Sequence, residues 1–132
     1  PPPALVELCH VVRTPGYGHP VRPDYLLTAA GLRIGSACHA LHALLQRRQE
    51  DDLGFRKWTL PLVAAIGPEI RRFNELRGTL SVATPRAVTL GLRSMLDRGW
   101  VRQPRNSART AGAGYELMRK GRTVLARIDA LY

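Results

Sequence analysis

The second half of the chain carries an unusually complete set of helix boundary signals. Thr84 can cap a helix with its side-chain oxygen, and Pro85 suits the first helical position, where the missing backbone N–H costs nothing. Gly99 follows where a left-handed glycine would end such a helix. The polar face of this segment is left free to meet a ligand. The signals predict a helix from Thr84 to about Arg98 that is buried through Val88, Leu92, Met95 and Leu96.

Two shorter helices are predicted upstream of it. The first ends at Gly67-Pro68, and its apolar face comprises Trp58, Leu62, Val63 and Ile66. The second stops near residues 81–83, and its apolar residues recur at helical spacing at Phe73, Leu76 and Leu80. Three helices in this order, with a short turn before the third, are typical of a helix-turn-helix.

The residues after Gly99 predict a β-hairpin and a closing helix. Residues 100–104 are expected to form a strand, residues 105–114 a polar loop and residues 115–118 the returning strand. A helix from about Arg119 then carries one apolar stripe, formed by Val124, Ile128 and Leu131. The sequence therefore predicts an α+β fold, mainly α with small β-wing hairpins, in the form of a winged helix-turn-helix.

A shift of 90 residues places the start of the chain on its end. Residues 5–42 then align with residues 95–132 without a gap, and six of the 38 positions are identical: Val11/Val101, Tyr25/Tyr115, Leu27/Leu117, Gly31/Gly121, Ala40/Ala130 and Leu41/Leu131. We interpret residues 1–50 as the wing and closing helix of a first unit and residues 51–132 as a complete unit. The helix-turn-helix of the first unit is expected upstream of Pro1. The first closing helix should bury Ile34, Cys38, Leu41 and Leu45.

Charge is concentrated in the second half. The chain has a net charge of +10, of which residues 1–50 contribute +2 (five Arg against three acids) and residues 51–132 contribute +8. A strongly basic half indicates an anionic partner, and nucleic acid is the commonest one. Arg outnumbers Lys eighteen to two. A GC-rich genome accounts for much of that preference, although guanidinium also suits phosphate and guanine.

The predicted arrangement suggests which residues would meet double-stranded DNA. The N-terminal residues of a third helix can enter the major groove and read base edges; here these are Thr84, Pro85, Arg86, Thr89 and Arg93. Neighbouring arginines would contact phosphate in a sequence-independent manner; the candidates are Arg71, Arg72, Arg77, Arg102, Arg105 and Arg109. Each could instead be an ordinary solvated side chain, and Arg77 could pair with Glu75 or Asp97.

Catalytic and metal chemistry have little support. The chain has no Gly-rich phosphate loop, Ser-His-Asp set or paired carboxylates, so we expect neither an enzyme nor a cofactor. Cys38, His39 and His42 lack a fourth zinc ligand. The two cysteines, Cys9 and Cys38, do not form a disulfide framework. Without an apolar run long enough for a membrane span or a signal peptide, the expected location is the cytoplasm.

Several short motifs resemble the HxlR-type transcriptional regulators of the MarR-like winged-helix group. They lie between Phe55 and Tyr132: Lys57-Trp58-Thr59-Leu60, Arg72-Phe73-Asn74-Glu75-Leu76, Leu92-Arg93 and Gly99-Trp100-Val101, with Tyr115, Leu117 and Gly121. The resemblance implies a bacterial DNA-binding regulator that dimerises through its terminal helices on a pseudo-palindromic operator. The chain departs from the family pattern in two ways. Residues 5–50 resemble part of an additional unit, and position 118 is Met where the family motif usually has Thr. The first copy has that threonine, Thr28.

Some HxlR-type proteins sense oxidants through a cysteine ahead of the Lys-Trp motif. Cys38 precedes Lys57 by nineteen residues, farther than that pattern allows, and lies on the predicted apolar stripe. We therefore expect a buried, inert thiol there. Cys9 aligns with Gly99, at a turn, and is expected to be more exposed.

The leading hypothesis is a sequence-specific DNA-binding transcriptional regulator that acts by operator occupancy. One alternative is a winged-helix protein-interaction module that assembles through the apolar stripes of the 28–50 and 119–132 helices, which would also form a homo-oligomer. Another is a regulator gated by a small-molecule effector, bound between the units among Trp58, Tyr25 and Leu41.

Overall fold

The computed structural model describes residues 11–13, 25–104 and 114–131. Within them the chain forms six helices: α1 (Ala29–Arg47), α2 (Asp51–Gly54), α3 (Thr59–Ile66), α4 (Phe73–Thr79), α5 (Pro85–Asp97) and α6 (Arg119–Asp129). The three helices predicted for the helix-turn-helix are α3, α4 and α5. The mainly helical fold with small β-hairpins is confirmed.

Five short strands form two antiparallel sheets. Strands β1 (Val11–Arg13) and β2 (Tyr25–Leu27) pair with each other. Strands β3 (Arg71–Arg72), β4 (Val101–Arg102) and β5 (Gly114–Leu117) form a sheet in the order β3-β5-β4. The β4–β5 hairpin is the predicted wing, shorter than expected on its first strand. Strand β3 joins it to the start of α4, and the short helix α2 is a further element that the sequence pattern did not predict.

Helix α5 begins and ends as its boundary residues predict. The Thr84 hydroxyl oxygen accepts a hydrogen bond from the backbone N–H of Ala87 at 3.1 Å. Gly99 takes the left-handed conformation just beyond the C-terminus, with φ of 74°. The side chains of Val88, Leu92 and Met95 are almost completely buried. Local signals were sufficient here because the cap, the first-turn proline and the glycine act within the helix itself.

One apolar core joins the helix-turn-helix, the wing and part of α1. It contains Leu62, Val63 and Ile66 of α3, Trp100 at the base of the wing, and Val124 and Ile128 of α6, together with Leu41, Leu44 and Leu45 of α1.

The predicted burial of Cys38 is wrong. Its side chain is exposed, and Ile34 is only partly buried, because the N-terminal half of α1 extends past the core. The large buried side chains of α1, Leu41, Leu44 and Leu45, all lie in its C-terminal half.

The two hairpins have the same register, displaced by 90 residues. Val11 pairs with Leu27 in the first, and Val101 pairs with Leu117 in the second. The following helices also start 90 residues apart, at Ala29 and Arg119. Their environments differ, since Leu27 is 54% exposed whereas Leu117 is 5% exposed.

The turn from the wing into α6 requires a glycine. A Cβ at position 121 would lie 2.4 Å from the backbone oxygen of Trp100 and 2.9 Å from a methyl carbon of Leu117. The Trp100 oxygen also accepts a hydrogen bond from the Met118 N–H at 2.8 Å, so it cannot move away freely. The close approach fixes the first turn of α6 against the base of the wing.

Gly121→Ala should lower the free energy of unfolding by about 1–3 kcal/mol or more, because the added methyl meets a held backbone atom. Gly35→Ala is the matched control: nothing lies within 4 Å of its Cβ position, and it is on an exposed helical turn. That change should raise stability by about 0.5–1 kcal/mol through helix propensity. Urea unfolding of both variants measures the difference; equal effects would contradict the proposed clash.

Candidate nucleic-acid interface

All five predicted base-reading residues lie on the exposed side of α5 or at its start. They are Thr84, Pro85, Arg86, Thr89 and Arg93. The remainder of this face includes Leu90, which is 47% exposed. The helix buries its other side, so this surface is held rigidly and presents two guanidinium groups and two hydroxyl groups.

The two threonines differ in what they can offer a ligand. The Thr84 oxygen accepts from Ala87, so its hydroxyl proton remains available to a second acceptor. The Thr89 hydroxyl donates to the backbone oxygen of Pro85 at 2.9 Å, which uses its proton. Thr89 therefore offers an acceptor oxygen and a methyl group. Both hydroxyls help to order the first turn of α5.

Two of the predicted phosphate-binding arginines already have carboxylate partners. Arg71 reaches Glu69 at 3.3 Å (Nη2 to Oε2) and Glu75 at 3.8 Å (Nη1 to Oε2). Arg102 on β4 bonds through its Nε to Glu116, its cross-strand neighbour on β5. These carboxylates reduce the positive potential that either side chain offers to phosphate.

The other four phosphate candidates divide between described and undescribed residues. Arg72, at the start of α4, and Arg77, in its last turn, are exposed. Within the described part of the chain Arg77 has no ion pair, since Glu75 pairs with Arg71 instead. Arg105 and Arg109 lie outside the described residues.

The segment that connects α1 to α3 lies beside α5. Arg98, the residue after α5, donates to Asp52 of α2 from Nη2 to Oδ2 at 2.6 Å. One turn further along, Arg56 Nη1 donates to the Ser94 hydroxyl at 2.9 Å. Hydrogen bonding by Arg98 lowers the pKa of the Asp52 carboxyl below its ordinary value. These contacts fix the C-terminal half of α5.

A cleft of about 280 Å³ lies next to the Arg56–Ser94 contact and extends toward the N-terminal half of α5. Trp58 lines it, with Lys57 Nζ 5.3 Å from the centroid of the indole. Leu90 and Gly91 form the α5 side. Of the residues expected around an effector, Trp58 lines this cleft, whereas Leu41 is buried in the core.

A buried hydrogen bond ties the wing to the end of α1. Glu50 is 3% exposed, and its Oε2 accepts from Trp100 Nε1 at 2.7 Å. Its Oε1 lies 3.7 Å from the ammonium of Lys120 and has no hydrogen-bond partner. The sequence pattern gave no signal for this contact, because a glutamate after an apolar helix is ordinarily a surface residue.

The described residues offer little for other classes of site. In residues 11–13, 25–104 and 114–131, no three His, Cys, Asp or Glu side chains are grouped to hold a metal ion. None of the helices in those ranges has the length and apolar character that a bilayer crossing requires.

Comparison with known proteins was made for both sequence and structure. No family model matches the chain, and no curated protein matches it. A protein from Porphyromonas gingivalis W83 assigned to the MarR family of transcriptional regulators aligns over 62% of this chain and 80% of its own, with 23% identity and a TM-score of 0.56. The reduced form of MarR from E. coli aligns over 82% of this chain and 78% of its own, with 20% identity and a TM-score of 0.51.

The fold is a MarR-like winged helix. At these identities the likeness concerns the arrangement of helices and wing. The roles of individual side chains therefore rest on the geometry of this chain.

Glu50→Ala should lower the free energy of unfolding by about 1–3 kcal/mol, because it leaves the buried Trp100 N–H without an acceptor. Glu50→Gln keeps an oxygen acceptor and should cost less. Asp51→Ala is the control, an exposed carboxylate in the same turn. If the hydrogen bond matters, Trp100→Phe and Glu50→Ala will be non-additive in urea unfolding; strict additivity would contradict it.

The Asp52 carboxyl should titrate below its ordinary pKa of about 3.9. Arg98→Gln should bring its pKa back toward that value, whereas Arg56→Gln should have a smaller effect. Because the folded-state pKa is the lower one, the stabilisation is present above about pH 4 and is lost as pH falls through the folded-state pKa. Side-chain carboxyl NMR measures this directly. Superimposable titrations in wild type and Arg98→Gln would refute the assignment.

Proposed function

We propose that the chain is a sequence-specific transcriptional regulator that binds double-stranded DNA and acts by occupying an operator. The observation that carries this proposal is the exposed face of α5: Arg86, Thr89 and Arg93 share it, and the buried opposite side holds it in place. The MarR-like fold of the chain supports the same conclusion. No catalytic step is part of the proposal.

The dimensions of α5 suit this role. A helix with its side chains is ~10–12 Å across, and the major groove of B-DNA is ~12 Å wide. Thr84 and Pro85 at the N-terminus would enter first. Arg86 can donate two hydrogen bonds to guanine, which is worth ~1–3 kcal/mol of discrimination. Thr89 would approach the next bases with its acceptor oxygen and methyl group.

The phosphate contacts would come chiefly from arginines without strong carboxylate pairing. Arg77 fits this description; Arg72, exposed at the start of α4, is a further proposed contact. Arg71 and Arg102 would contribute less, since each holds a carboxylate nearby. Arg105 and Arg109 remain proposed contacts of the wing loop.

We assign the chain to the HxlR-type branch of this fold on its Lys57-Trp58 and Arg72–Leu76 motifs. We also propose that residues 1–50 are the wing and closing helix of a first unit, and that residues 51–132 are a second, complete unit. The equal register of the hairpins supports the repeat: the pairs Val11–Leu27 and Val12–Leu26 of β1–β2 lie 90 residues before Val101–Leu117 and Arg102–Glu116 of β4–β5.

Assembly with a second copy is proposed through α1 and α6. An open groove between these helices is lined by Leu32, Ser36 and three alanines, with Arg33 and Arg127 at the same surface. Leu32 is 57% exposed. Such a dimer would place two α5 helices on one pseudo-palindromic site. The same surface also supports the alternative, a protein-interaction module, which would bind a partner protein without needing the polar face of α5.

Selection from a randomised duplex library followed by fluorescence anisotropy tests the proposal. Wild type should enrich a defined sequence and bind it with a strong salt dependence. Arg86→Ala should reduce the preference for the selected duplex over a scrambled one by about 5- to 150-fold, because a bidentate base contact is lost. Arg77→Ala, the matched control, should weaken both duplexes equally.

Affinity that is indifferent to both sequence and salt would eliminate the DNA-binding proposal. It would leave the interaction module as the better interpretation. Sedimentation of the complex on the selected duplex reports in the same experiment whether one or two copies bind.

A further inference from the structure

Residues 52–58, the corner between α2 and α3, lie along α5 from its C-terminus toward the N-terminal end that would face DNA. Asp52 contacts Arg98, then Arg56 contacts Ser94, and then Lys57 shares the cleft with Leu90. The chain from Asp52 to Lys57 therefore runs antiparallel to α5. From Ser94 to the Ala87 side of the cleft, α5 rises by about 10 Å. Lys57 lines the cleft whose α5 side extends from Ser94 to Ala87, in the first turn of the helix that would enter the groove.

Residues 55–58, between α2 and α3, carry two positive charges, Arg56 and Lys57, and no acid. Arg56 and Lys57 are exposed, and among the described residues neither forms an ion pair. Asp52, the nearest acid in this line, is engaged by Arg98. In this respect the corner differs from Arg71 and Arg102, whose charges are partly neutralised by glutamates.

Neighbouring side chains hold both cations in place. The Ser94 hydroxyl accepts from Arg56 at 2.9 Å, which positions the guanidinium beside α5. The indole of Trp58 lies 5.3 Å from the Lys57 ammonium, a distance at which the ring face attracts a cation. Ordering these long side chains in the free protein lowers the entropy cost of a later contact.

We infer that Arg56 and Lys57 form a second phosphate-binding edge, separate from the arginines of α4 and the wing. This inference rests on the proposed function. With α5 filling the major groove, side chains that flank the helix face the phosphates along the groove wall. The cations bind the DNA backbone in a sequence-independent manner, while Trp58 acts as a positioning residue for Lys57.

The experiment measures salt dependence on a 30-base-pair duplex of random sequence with the full chain. Lys57→Met removes the charge but keeps an apolar stem against Trp58. Each lost phosphate contact reduces the slope of log affinity against log salt by about 0.9. The loss of affinity between 50 and 200 mM salt should therefore be about 3.5-fold smaller for Lys57→Met, and about 12-fold smaller for Lys57→Met with Arg56→Met.

Two controls separate this edge from general charge and from base reading. Arg47→Met removes one exposed positive charge from the last turn of α1, outside the α1–α6 groove and the proposed DNA contacts, and should leave the slope nearly unchanged. The ratio of affinities for the selected and scrambled duplexes should stay constant in Lys57→Met, unlike in Arg86→Ala. Circular dichroism and urea unfolding verify that each variant is folded.

The outcomes distinguish the two proposals. Wild type that binds DNA, with Lys57→Met and Arg56→Met showing the slope of Arg47→Met, would overturn the second edge and leave the proposed function intact. Wild type without salt-dependent DNA binding would overturn both.

Discussion

The arrangement of this molecule depends on the buried residue Trp100. Its backbone N–H donates to Met95 in the last turns of α5, and its backbone oxygen accepts from Met118 at the start of α6. Its ring N–H donates to Glu50 at the end of α1. A rotation of α1 away from the helix-turn-helix and the wing would break the Trp100–Glu50 hydrogen bond. Both groups are buried, so water cannot replace that bond. Helix α5, the wing, α1 and α6 are therefore held as one body.

The sequence predicted the elements whose causes are local. Helix α5 follows from its cap, its first-turn proline and Gly99, and the wing follows from alternating apolar residues around a polar loop. Strand β3 was not predicted, because two arginines form a strand there only by pairing with β5. The Glu50–Trp100 bond was equally inaccessible, since it joins residues fifty positions apart. Burial of Cys38 was predicted from a periodic stripe, but periodicity does not show where a core ends.

The same distinction applies to the candidate site. Helical periodicity was enough to place Arg86, Thr89 and Arg93 on one exposed face. It could not show that glutamates accompany Arg71 and Arg102, because those partners depend on sheet register and on a turn. Nor could it place Lys57 beside α5. The positive charge available to a ligand therefore does not simply follow the positions of the arginines in the sequence.

The two hairpins share a sequence pattern but differ in which of their faces the rest of the fold covers. The second is covered by the helix-turn-helix on the face that carries Leu117, and its outer face carries the Arg102–Glu116 pair. The first has the same register, but Val12 and Leu26 occupy the positions of that ion pair, and both are exposed. A two-stranded hairpin is marginally stable alone. Since Val12 and Leu26 are apolar and exposed, covering their face of β1–β2 would stabilise that hairpin more than covering the Arg102–Glu116 face would stabilise the second.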